Sequence, residues 1–88
     1  MTLENTNFGS EYGIEKRMPG LEDWVPINPP GLGFETYEEA YQKALNYAEV
    51  RRRVGYSYTI EFRVVVYDYD GSKRKNIRSL TVVTEDEK

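Results

Sequence analysis

The chain has 88 residues, which is one domain's worth, and a net charge of −3. It holds no cysteine and no histidine. Disulfide staples, thiolate metal sites, imidazole ligands and the usual general base are therefore excluded, and no cofactor is expected. No apolar run approaches the roughly 20 residues of a membrane-spanning helix, and the start, MTLENTNFGS, lacks a signal-peptide pattern, so a soluble cytoplasmic protein is expected.

Residues 1–10 are polar and without period, which predicts a disordered tail ahead of a single domain at 11–84. A hairpin follows. Tyr12, Ile14 and Lys16 alternate with Gly13, Glu15 and Arg17, and MPGL (18–21) fits a type II turn with Gly20 at positive φ. Trp24 to Ile27 form a short return strand. Pro26 donates no ladder hydrogen bond, so that strand is expected to be at an edge or bulged.

NPPGLGFE (28–35) is a stiff connection into the element with the strongest local signals. Its GLGF matches the carboxylate-binding loop of PDZ domains in four residues, but here it leads into a helix rather than a strand, and Phe34 reads as a hydrophobic staple. Thr36 and Glu39 form a capping box, and a helix is predicted from Tyr37 to Arg53. At 100° per residue Tyr37, Tyr41, Ala44, Leu45 and Ala48 share one face, with Ala40 at its border. Arg51, Arg52 and Arg53 occupy the last turn, where cations complement the helix dipole, and Gly55 is placed to end the helix.

Next, Tyr58, Ile60, Phe62, Val64 and Val66 alternate with Thr59, Glu61, Arg63, Val65 and Tyr67, the signature of a long strand with one apolar face. Asp70-Gly71 marks a turn. The returning strand, about 76–84, is expected to point Leu80 and Val82 inward, although its weaker alternation leaves either a bulge or an ambiguous register open. EDEK (85–88) reads as a solvated acidic tail. The expected fold is α+β, a ββαββ domain with a four-stranded antiparallel sheet and one helix on one face.

One helix covers one face of such a sheet and leaves the other open. That second face carries Arg63, Val65, Tyr67 and Tyr69, beside a basic hairpin tip of Lys73, Arg74, Lys75 and Arg78. Tyrosine, arginine and exposed valine suit an interface. These residues, flanked by Arg52 and Arg53, are the predicted contacts with a partner. The charge distribution agrees, with nine acids and three bases in residues 1–50 but six acids and nine bases in 51–88.

Cations beside tyrosines also suit nucleic acid, which is the alternative partner, although Glu61, Asp68 and Asp70 among them repel phosphate. A homodimer through the open face is compatible with either. The acids Glu22, Asp23, Glu35, Glu38 and Glu39 belong at a helix start and converge on no metal. No serine has a histidine partner, so no enzymatic activity is expected.

In size, lack of cysteine, acidic balance and one helix on a sheet, the chain resembles the small inhibitors that phages encode against host machinery, such as anti-CRISPR proteins and the RNA polymerase inhibitors of T7-like phages. The resemblance implies a steric mechanism, in which the protein occupies a working surface of a host protein.

Overall fold

The structure is a computed structural model and describes residues 9–71 and 73–85. The expectations for residues 1–8 and 86–88 lie outside the described residues. The domain has the element order β1 (Ser10–Arg17), β2 (Val25–Pro26), α1 (Tyr37–Val54), β3 (Glu61–Asp70) and β4 (Lys73–Thr84). The four strands form one antiparallel sheet in the order β2-β1-β3-β4, and α1 packs over β3 with β1 and β4 on either side. This is the expected α+β architecture.

Local signals account for most boundaries. The Leu21 amide donates to the Met18 carbonyl at 3.2 Å and Gly20 sits at φ 81°, closing the predicted turn. The Glu39 amide donates to the Thr36 hydroxyl at 3.2 Å, capping α1. Gly55 adopts the left-handed conformation and its amide donates to the Arg51 carbonyl, ending the helix. β2 is only two residues long because Pro26 interrupts it. Beyond it the Ile27 amide still reaches the Ile14 carbonyl, and the Asn28 side chain accepts from the Ile14 amide.

The core lies between α1 and the sheet. Ala40, Ala44 and Ala48 form a ridge at four-residue spacing, buried against Ile14, Ile60, Phe62, Val64 and Val83. Ala40, expected at the border of the apolar face, is at its centre, with Tyr37, Tyr41, Leu45 and Tyr47 packing around the ridge. Small side chains let the helix axis approach the sheet, and the rings fill the flanks. Tyr47 stacks on Phe62 with centroids 5.7 Å apart, and the Tyr37 hydroxyl reaches the Thr81 hydroxyl at 2.6 Å.

Four local expectations are corrected. Gly9 and Ser10 do not belong to a disordered tail, because Ser10 opens β1 and the Gly9 carbonyl accepts from the Tyr69 amide at 2.8 Å. Tyr58 is not core; β3 begins at Glu61, and Tyr58 is exposed beside Tyr56. Leu80 and Val82 point to solvent, at 42% and 48% exposure. The cause is the register: Thr81 pairs with Val64 but Ser79 with Val65, so Leu80 is an extra residue on β4 and Val83, rather than Val82, enters the core. Glu85, expected in a solvated tail, is buried at 6% exposure.

Candidate functional site

Over β1 and β3 the second face of the sheet is closed. β1 and β3 pair with Glu15 opposite Arg63, Gly13 opposite Val65 and Glu11 opposite Tyr67. Because strand side chains alternate, all six belong to the face away from α1. Glu15 is 1% exposed and binds two partners from β3. Arg63 Nε and Nη2 donate to its Oε1 at 2.9 and 2.6 Å, and the Tyr67 hydroxyl donates to its Oε2 at 3.0 Å. A carboxylate removed from water in this way is tolerable only with its oxygens filled.

The chain of contacts continues in both directions. Toward β2, the guanidinium groups of Arg63 and Arg17 each lie 4.5 Å from the Trp24 ring, and Arg17 pairs with Glu61 at 2.5 Å. Toward the hairpin tip, the Arg74 guanidinium covers the Tyr67 ring at 3.8 Å. Arg74 donates through Nη2 to the Asn28 carbonyl at 2.6 Å and through Nε to the Tyr69 hydroxyl at 3.2 Å. The Tyr69 hydroxyl donates to Glu11, whose carboxylate also accepts from the Gly31 and Gly33 amides at 3.0 and 3.1 Å. The Pro/Gly connection is thereby pinned to the sheet. Burial and the Glu15 carboxylate push the Tyr67 phenol up, and burial and Glu11 do the same to Tyr69.

The predicted contacts accordingly divide. Val65 and Tyr67 are fully buried and Tyr69 is 9% exposed, so these three are a second core rather than a free surface. Arg63 and Arg74 are turned onto Glu15, Trp24 and Tyr67. Lys73, Lys75 and Arg78 are exposed, as expected. Arg52 is exposed and donates to the Glu85 carbonyl at 3.3 Å, while Arg53 is exposed and pairs with Glu49 at 3.0 Å.

Arg51, the first of the triplet, fastens the helix end to the end of β4. It pairs with the Glu85 carboxylate, donates to the Tyr58 carbonyl at 3.1 Å and lies over the rings of Tyr56 and Tyr58. Glu85 in turn accepts from the Ile60 amide at 2.7 Å.

β4 is largely exposed. It is the terminal strand of the sheet, so one of its backbone edges has no strand beside it among the described residues. Ile77 and Val82 are each 48% exposed and Leu80 is 42% exposed, interleaved with Lys75 and Arg78. Sequence reasoning missed Leu80 and Val82 because alternation, counted without the extra residue at Leu80, turned them inward, and it assigned Ile77 no role. The weak alternation itself was the available signal. A second exposed apolar group, Val50, Val54, Tyr56 and Tyr58, lies at and just after the helix end.

Among the described residues no group of acids is arranged to hold a metal ion, and no helix is long and apolar enough to cross a membrane. Comparison with protein families, with curated proteins and with solved structures finds no match for this chain.

Proposed function

We propose that this chain is a small non-enzymatic protein-binding domain that sterically blocks a host protein, in the manner of phage-encoded inhibitors. Its working surface is the outer side of β4 together with the basic hairpin tip. The observation that carries this reading is the row Ile77, Leu80 and Val82, exposed on an uncovered edge strand among Lys73, Lys75 and Arg78. Apolar side chains on an open edge are a liability that proteins ordinarily blunt, and a functional interface is the reason to keep them.

The closed face supports the non-enzymatic part. Its titratable groups are spent on one another, and the Tyr67 phenol is shifted away from what a general base needs. A cytoplasmic setting suits a chain with no cysteine. Nucleic acid is the second reading, carried by the exposed cations Lys73, Lys75 and Arg78. It has less support than the sequence suggested, because Tyr67 and Tyr69 are buried and offer no ring for a base to stack on.

The test is a tagged pull-down from bacterial lysate, with and without nuclease, at rising salt. The protein-binding reading expects one host protein at near-equal stoichiometry that survives nuclease and moderate salt. Recovery that vanishes with nuclease, or falls by orders of magnitude with salt, means phosphate contacts and overturns it.

A further inference from the structure

We propose that the outer edge of β4 accepts an extended acidic segment of its protein partner as a fifth strand of the sheet. This inference rests on the protein-binding reading and specifies the chemistry of the partner.

The geometry favours this edge over the other. The sheet ends in β2 on one side, two residues long and interrupted by Pro26, which has no amide hydrogen to donate. On the other side it ends in β4, twelve residues long. An added strand satisfies the free backbone groups of such an edge, while side-chain contacts give selectivity. Here those contacts are apolar at Ile77 and Val82, both paired with residues of the far face, Tyr67 and Arg63.

Charge selects the occupant. β4 carries Lys73, Arg74, Lys75 and Arg78 and no acid. Arg74 is satisfied inside the fold, but Lys73, Lys75 and Arg78 are exposed along the strand. Carboxylates on an incoming strand meet these cations, whereas lysines would be repelled. A second copy of β4 is disfavoured on the same ground, since it too carries cations and no acid. The register adds to this. Asn76 pairs with Asp68 and Arg74 with Tyr69, so Lys75, like Leu80, is an extra residue. Bulges at both positions break the straight edge that indefinite strand stacking requires and leave shorter in-register runs for a defined partner.

The experiment is an amide-resolved NMR titration of the full chain with three peptides of about ten residues, on the scale of one strand. One alternates Val and Glu, one alternates Val and Lys, and one is the Val/Glu peptide with two internal prolines. The Val/Glu peptide is expected to shift and protect amides within 73–84, and the double variant Lys75→Glu, Arg78→Glu to weaken this about tenfold or more. Unchanged chemical shifts elsewhere show that the variant is folded.

The proposal is overturned by an equal response to the Lys or proline peptide, by shifts confined to another surface, or by no response up to about 1 mM. It is also overturned if the peptide-free chain scatters light as a dimer that the double variant dissolves, or if single-stranded DNA reproduces the same shifts. A host protein captured equally by wild type and double variant removes strand addition while leaving the protein-binding reading in place.

Discussion

Gly13 shows how one residue shapes the far face. A Cβ built there falls 2.5 Å from Tyr67 Cε2, and Tyr67 is fully buried. The backbone of Gly13 needs no unusual φ, so space alone requires glycine. Gly13→Ala is expected to lower stability by about 1–3 kcal/mol, read from chemical denaturation. Glu15→Ala leaves Arg63 and the Tyr67 hydroxyl without their shared acceptor. The expected loss is roughly 3 kcal/mol, at the low end for a buried pair because Arg63 keeps its Trp24 contact and is a fifth exposed. Both tyrosine hydroxyls on this face donate to carboxylates, and their folded-state pKa values lie above the ordinary 10.0. Their contribution is therefore complete below pH 10 and is lost as pH rises toward the folded values. Stability measured against pH is expected to fall above about pH 10, and to fall less steeply in Tyr67→Phe.

At the scale of elements, helix and strands follow from local chemistry. The capping box, the alanine spacing, Gly55 and the Pro19-Gly20 turn each act within a few residues, so sequence reading places them well. β4 differs because its extra residues are defined only by pairing with β3. That register predicts a contrast between neighbours. Val83→Ala, in the core, is expected to cost about 2 kcal/mol, and Val82→Ala, half exposed, well under about 1 kcal/mol. Equal costs by denaturation would contradict the placement of the bulge at Leu80. The far face was hidden for a related reason. Glu11, Gly13 and Glu15 on β1 read as an ordinary polar alternation, and only their position opposite Arg63, Val65 and Tyr67 makes them a buried layer. Carboxylates four residues apart at Glu11 and Glu15, read against Arg63 and Tyr67 four apart on β3, are the signal that could have found it.

At the scale of the molecule, part of the charge imbalance between halves of the chain is internal. Glu11 and Glu15 from the acidic half meet Arg74 and Arg63 from the basic half, and Arg17 meets Glu61. Lys73, Lys75 and Arg78 stand outside this arrangement, exposed on β4 beside Ile77, Leu80 and Val82. The far face over β1 and β3 is thus a structural layer, and β4 is the surface proposed to meet a partner.

The most direct test is a quantitative pull-down comparing three proteins after nuclease treatment: the wild type, Ile77→Ser with Val82→Ser, and Val50→Ser with Val54→Ser at the exposed helix end. All four replaced side chains are exposed and outside the core, so the variants are expected to melt within a few degrees of the wild type. The account predicts that the host protein held by the wild type is lost from the β4 variant and kept by the helix variant. Retention by the β4 variant, with loss from the helix variant, would contradict it.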